Sequence, residues 1–308
     1  MSEKNELFPK DTDFSNLVKK ARRKSLLRNI VVSVIVSCLL FAGLFWLGTF
    51  MMYKKIDEDI SYDYAWRSIQ GANVQSTGSD FNYTPFSVSV ITGSNKYVAG
   101  VPLPWENLEK VFSIFGSSRI VQSNSISGTG SIEDKRIPLY FQGERVIEFY
   151  APGENYDFLP DDRPLLDEIA EYQVVEMAYS FDAGYSLEEV EAIFSDQSNW
   201  YWVGGISTPD NQPVYGGNAY GFHKNRDPIE SANGFIQQLK WLQEEKGDSQ
   251  QEAKRLYDTL TDKGQIELKP ESLRLFGIVV TGTAEELKQF NGSPMIRAAV
   301  LGATTDKY

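Results

Sequence analysis

Between Ile30 and Met52 the chain runs for 23 residues without a formal charge (IVVSVIVSCLLFAGLFWLGTFMM). As a helix rising about 1.5 Å per residue, such a run reaches across the roughly 30 Å hydrocarbon layer of a bilayer. A secretory signal has a shorter apolar region and a small-residue cleavage site, and a soluble core helix of this length has a polar face; neither pattern is present. Residues 29–53 are therefore read as a transmembrane helix, with Trp46 and Tyr53 as interface residues near its outer end. The flanks are unequal. Lys19, Lys20, Arg22, Arg23, Lys24 and Arg28 lie before the run, whereas Lys54 and Lys55 are followed at once by Asp57, Glu58 and Asp59. The side richer in Lys and Arg stays in the cytoplasm, so the N-terminus is expected inside and about 250 residues outside the cell membrane.

Charge divides the same way. Residues 1–28 hold eight basic side chains against four acidic ones, and the whole chain is −12, which leaves −16 beyond the span. An exterior of that sign has no phosphate-neutralising surface, which excludes nucleic acid as a partner. The single cysteine, Cys38, lies inside the span. The exterior must then be held by an ordinary apolar core rather than by disulfides, and a chain of this size can supply one.

In the cytoplasmic segment (1–28), Phe14, Leu17, Val18 and Ala21 recur at i, i+3, i+4 and i+7, one face of a helix whose other face is basic. Periodicity alone leaves two readings open: a helix resting on anionic head groups, or one presented to a groove on a partner. Beyond the span, residues 54–80 read as a stalk and 81–160 as a strand-rich extracytoplasmic region. Within it, Phe86–Ile91 and Lys96–Val101 suggest a hairpin across Gly93-Ser94-Asn95, and Trp105–Phe115 a short helix ended at Gly116. Ser123–Gly130 is expected to be a loop, and Ile137–Phe141 and Arg145–Tyr150 a second hairpin around Gln142-Gly143. Prolines and glycines over 152–164 suggest a domain boundary.

Residues 165–308 alternate more clearly. Strands are expected over 172–181, 199–203, 274–281 and 295–301. Capping boxes at Ser186–Glu189 and Thr283–Glu286 open short helices, and two longer helices cover about 228–246 and 249–263, separated by Lys246-Gly247-Asp248. Residues 206–226 are expected to be loop. The fold class is α+β: a β-α-β, helices, then a second β-α-β, in a ferredoxin-like arrangement.

The search for chemistry finds little. There is no phosphate loop and no nucleophile elbow, and one histidine with one membrane cysteine leaves no zinc or Cys–His constellation. No catalytic, cofactor-binding or metal-binding residue is assigned, and the chain is not expected to be an enzyme. His223 reads as an ordinary packing residue. The acids Asp161, Asp162, Asp167, Glu168 and Glu171 match no calcium loop and read as a solvated helix start. Trp200 and Trp202 flank Tyr201, so both should face one side of a strand, as core. Gly43 and Gly48 stand five apart, not the four of the G-x-x-x-G helix-pairing motif.

Three stretches carry a resemblance. Leu275–Gly302 (LFGIVVTGTAEELKQFNGSPMIRAAVLG) resembles the end of the sigma-factor-regulator C-terminal domain of bacterial membrane anti-sigma factors. There a G-x-x-V-T-G strand leads into a helix, and an arginine-bearing strand closes the domain. Val174–Val203 is similar to that domain's opening, and Phe14–Ser37 to the companion N-terminal segment. The resemblance covers roughly the first 50 residues and everything from about 165. It implies a single-pass regulator whose cytoplasmic helix holds an extracytoplasmic-function sigma factor through Phe14, Leu17, Val18 and Ala21, alone or beside a second membrane protein, while the exterior senses an envelope signal. The competing expectation is an anchored binding or adaptor module with no transcriptional role.

Overall fold

In a computed structural model of the chain, residues 11–122, 138–204, 212–245 and 250–307 are described. The loop expected over 123–130 and the break at 246–248 lie outside them.

Helix α1 (Asp11–Ile69) is unbroken for 59 residues, about 88 Å at 1.5 Å per residue. It contains no proline. Its central stretch is long and apolar enough to cross a membrane, and none of that stretch is buried against the protein. In lipid such a segment has only its own backbone to bond, which enforces the helix. Residues 54–69 of the expected stalk continue it, and the rest of that stretch turns into the first strand from Val74. The stripe that makes residues 54–69 helical is interleaved with acids: Met52, Ile56, Ala65 and Ile69 are buried, with Ile60, Tyr62 and Trp66 packed beside them. Gly71 (φ 96°) and Asn73 (φ 58°) then turn the chain out of the helix.

A four-stranded antiparallel meander follows, built from β1 (Val74–Tyr83), β2 (Ser87–Val98), β3 (Val101–Ser113) and β4 (Ser118–Gln122), in that order. Two expectations fail here. Gly93-Ser94-Asn95 is not a turn but the site of a register shift within β2; the hairpin turns at Ala99 (φ 49°) and Gly100 (φ 84°). Two consecutive positive φ values match the twist of the flanking strands, which a turn at Gly93 would have had to supply. Trp105–Phe115 is strand β3 and its turn, not a helix. The helix-forming Glu106, Leu108, Glu109 and Lys110 are overridden by a continuous ladder to β2. Val88, Val90 and Phe112 close this sheet onto Met52 and Ile56 of α1.

The expected hairpin at Gln142 (φ 52°) and Gly143 (φ 90°) is present as β5 (Tyr140–Phe141) and β6 (Glu144–Arg145). Then β7 (Glu148–Phe149) pairs with β10 (Val214–Tyr215).

The remaining elements form a mixed helix-and-sheet domain. Its five strands are β8 (Gln173–Tyr185), β9 (Ser198–Val203), β11 (Gly221–His223), β12 (Leu275–Thr283) and β13 (Ile296–Asp306). They lie in the order β11-β9-β12-β8-β13 with every neighbouring pair antiparallel. Helix α2 (Leu187–Phe194) joins β8 to β9, and α5 (Ala284–Lys288) joins β12 to β13. Both start at the expected capping boxes, in which Ser186 and Thr283 accept from Glu189 and Glu286 amides and the glutamates reach back. Helices α3 (Pro228–Glu244) and α4 (Gln250–Leu260) cover the same face as α2 and α5.

Part of the expected 206–226 loop is strand. Glycine is required at Gly221, where a Cβ would lie 2.0 Å from the Tyr201 carbonyl oxygen across the ladder. Alternation divides the sheet's side chains cleanly. Val175, Met177, Tyr179 and Tyr201 join the helices. Trp200, Trp202, Ala178 and Val300 face the other way, onto Ile147, Phe149 and Tyr150. The packing therefore crosses the 152–164 stretch, and the sheet is buried on both faces. Trp202 stacks on Phe149 at 4.8 Å between ring centres, as core.

Candidate functional site

Helix α1 has two ends with opposite environments, and the candidate site is what each end touches. At the N-terminal end Phe14 and Leu17 are 67% and 66% exposed. Val18 and Ala21 complete their face, and Lys19, Lys20, Arg22, Arg23, Lys24 and Arg28 are all exposed around it. Among the described residues these apolar side chains thus lie on one stripe within a basic collar, with Phe14, Leu17 and Ala21 exposed and Val18 partly buried.

At the C-terminal end Ala65 and Ile69 are 2% and 0% exposed, set among Phe235, Leu239 and Phe222 in the main core of the β8–β13 domain. The acids that follow the span are engaged on the way. Lys110 of β3 reaches Asp59 at 2.8 Å and Asp63 at 3.6 Å, and Arg67 pairs with Asp63 and with Glu106. Such half-exposed pairs each contribute about 0–1 kcal/mol, so they orient the helix against β3 more than they hold it.

Just past the helix lies a buried polar node. Glu176 lies near the start of β8, on the face opposite the helices, and is fully buried. Its Oε2 accepts from Lys96 Nζ of β2 at 2.6 Å and from the Ala303 amide at 3.2 Å, and its Oε1 accepts from Asn73 Nδ2 at 2.8 Å. Lys96 lies over the Trp105 ring at 4.2 Å. Asn199 donates to the Asn73 side chain and to the Tyr97 carbonyl. Gly302 permits the approach, because a Cβ there would stand 2.4 Å from Glu176 Oε2. One carboxylate thus ties together the exit of α1, the β1–β4 sheet and the β8–β13 sheet. The sequence offers one signal for it: a glutamate inside the apolar run Val174–Ala178, where a strand buried on both faces has no room for an unpaired charge.

His223 sits beside this junction. Its Nδ1 accepts from Gln75 at 3.3 Å and its Nε2 donates to the Val74 carbonyl at 3.2 Å, which docks β1 onto the edge of the domain. Desolvation, against the opposing pull of the Val74 carbonyl, lowers its pKa to about 4. In the neutral form both ring nitrogens are engaged in holding β1. It also walls a cavity of about 360 Å³ whose lining includes Tyr64 and Arg67 of α1 and Glu230 of α3.

The other candidates resolve into structure. The acidic group at 161–171 is divided among separate cations: Asp161 with Arg163, Asp162 with Arg145 and Asp167 with Lys288. The Arg163 hydrogen bonds hold the Asp161 carboxyl below the usual range. Among the described residues no three His, Cys, Asp or Glu side chains are arranged to hold a metal ion. Tyr201 and Tyr220 donate to Glu191 and Glu252, and burial first, then the carboxylate acceptor, pushes both phenols up.

Residues 166–303, which span β8 to β13 and receive the end of α1, match the model of the sigma factor regulator C-terminal family. No curated protein and no solved structure matches the chain. The match begins at Leu166, a buried member of the same core, and ends at Ala303, whose amide bonds Glu176. The regulator domain therefore contains the receiving half of the node, while Asn73 and Lys96 come from outside the matched residues.

Proposed function

We propose that the chain is a single-pass membrane anti-sigma factor, with its basic N-terminal segment in the cytoplasm and the regulator domain outside. Phe14, Leu17, Val18 and Ala21 bind an extracytoplasmic-function sigma factor and keep it from core polymerase. The observation that carries this reading is the continuity of α1: one helix leads from a largely exposed apolar stripe to Ile69 in the core of the family-matched domain. The basic collar and the acidic exterior support the orientation. We also read the domain as ferredoxin-like, a reading supported by the all-antiparallel β13-β8-β12-β9 order and by the two β-α-β connections.

A signal acts through such a helix only if a ligand or partner favours one of two exterior states. The junction of Ile69, Asn73, Lys96 and Glu176 is where two such states would differ in how α1 is seated. The test is affinity capture from membranes with the full chain. Wild type is expected to recover a sigma factor, and Phe14→Asp/Leu17→Asp to lose it while still residing in the membrane at normal abundance. Recovery of no sigma factor by the wild type, or unchanged recovery by the double variant, refutes the assignment of these residues.

A further inference from the structure

The β1–β4 sheet does not stand clear of the apolar run. Its lower turns meet α1 inside that run. Phe86, in the β1–β2 turn, packs edge-on against Phe45 with ring centres 6.1 Å apart. Ile114, in the β3–β4 turn, crosses Gly48 so closely that a Cβ there would lie 2.6 Å from its carbonyl oxygen. The Ile114 amide donates to the Phe86 carbonyl at 3.0 Å, joining the two turns, and Lys55 Nζ donates to the Gly116 carbonyl at 3.2 Å.

Depth follows from helix geometry. Arg28 is the last charge before the run, and 20 residues further on is Gly48, a rise of about 30 Å, the thickness of the hydrocarbon layer. If Arg28 marks the inner boundary, the two turns sit at the outer one. If the whole of Ile30–Met52 is immersed, they sit slightly below it. The side chains around the turns fit that level. Phe115 is 82% exposed, and Phe81, Tyr83, Phe86, Ile120 and Val121 are exposed beside it on the same end of the sheet. Phe81 and Tyr83 stack on one another, 40% and 64% exposed. Uncovered aromatics at the end of a transmembrane helix, with Lys54 and Lys55 at the same level, match the composition of the membrane–water interface.

On the membrane reading of α1, we infer that the tip of the β1–β4 sheet is a lipid-contacting wedge, with Phe86 and Phe115 seated in the acyl–headgroup boundary of the outer leaflet. The occupant of this apolar patch is lipid rather than a protein partner, because the patch is continuous with the lipid-facing surface of α1 and stands beside Phe45, a residue of the span itself. The wedge gives the exterior a second hold on the bilayer, set off to one side of the helix, so that it is restrained in tilt as well as in height.

The test uses the full chain in phosphatidylcholine nanodiscs. An environment-sensitive fluorophore is placed at Phe115→Cys or Phe86→Cys in a Cys38→Ser background. Pro102→Cys, at the far end of β3, serves as the distant control, 11 residues from Ser113, or about 36 Å. Lipids carry a nitroxide high on the acyl chain. The labels at positions 86 and 115 are expected to emit to the blue and to lose most of their intensity to the nitroxide, while the label at 102 stays water-like. A water-like, unquenched label at 115 overturns the wedge. So does a blue-shifted label that is unquenched and becomes water-like when each disc holds one copy, since a second chain then covers the patch. A label on the native Cys38 separates the two levels of the argument. If it is quenched by a deep nitroxide while 115 is not, only the wedge falls; if it too escapes quenching, the membrane reading falls with it.

Discussion

Removing one partner of the Lys96–Glu176 pair will destabilise the two packed sheets far more than removing both. The two side chains are 2% and 0% exposed and 2.6 Å apart. At an effective dielectric of about 20, their attraction at that distance is on the order of 6 kcal/mol. Taking each ion out of water opposes it by several kcal/mol, so the net worth of the intact pair is small. The asymmetry appears when it is broken. Lys96→Met leaves a buried carboxylate with only the Asn73 and Ala303 donors, and the expected loss is about 3–5 kcal/mol. Glu176→Gln leaves a buried ammonium facing an amide and the Trp105 ring, with a loss of similar size. Lys96→Met/Glu176→Gln removes both charges and is expected to recover most of either loss, giving a coupling of at least about 2 kcal/mol in the double-mutant cycle. Denaturant unfolding of the full chain in nanodiscs, followed by tryptophan emission, measures all four proteins. Single losses below about 1 kcal/mol, or a double variant no better than the sum of the singles, would refute the view that this carboxylate clamps the two sheets together.

Two further outcomes follow from local chemistry. His223 has its pKa lowered from an ordinary 6.5 to about 4, so between those values the unfolded chain takes up a proton that the folded junction refuses. Stability is unaffected above pH 6.5 and falls as the pH drops from 6.5 towards 4, by on the order of 3 kcal/mol in all. His223→Gln, which can still bond Gln75 or Val74, should flatten that dependence in unfolding measured across pH 4–7; an unchanged slope would show that other groups carry it. Thr283→Ala removes the hydroxyl that accepts from the Glu286 amide and donates to its carboxylate. A thermal-melt loss of about 0.5–2 kcal/mol is expected, with the family-matched fold retained by circular dichroism.

Where a feature was written in consecutive residues, it was legible. The uncharged run, both capping boxes and the Gln142-Gly143 turn each rest on a spacing of a few positions, and each appears in the structure. The alternation Trp200-Tyr201-Trp202 likewise divides its side chains between the two cores. What escaped was decided by distant partners. Trp105–Phe115 carries helix-forming residues, and only the ladder supplied by β2 makes it a strand. The acids after the span looked like solvated linker until Lys110 and the apolar stripe between them placed them on α1. Lys96 and Glu176 are 80 positions apart, and neither hints at the other. The Phe14–Ala21 stripe was readable as a face, yet periodicity says nothing of what covers it.

Because α1 has no interruption between Phe14 and Ile69, its two ends share a phase as well as an axis. Each residue advances a helix by about 100°, so one residue inserted in the span would swing the Phe14–Leu17 face about 100° around from its bearing relative to Ile69. Seven inserted residues would bring it back to within about 20°. The domain that receives Ile69 therefore fixes the compass direction in which the Phe14–Leu17 face looks, and a small twist at Ile69 arrives at Phe14 as the same twist.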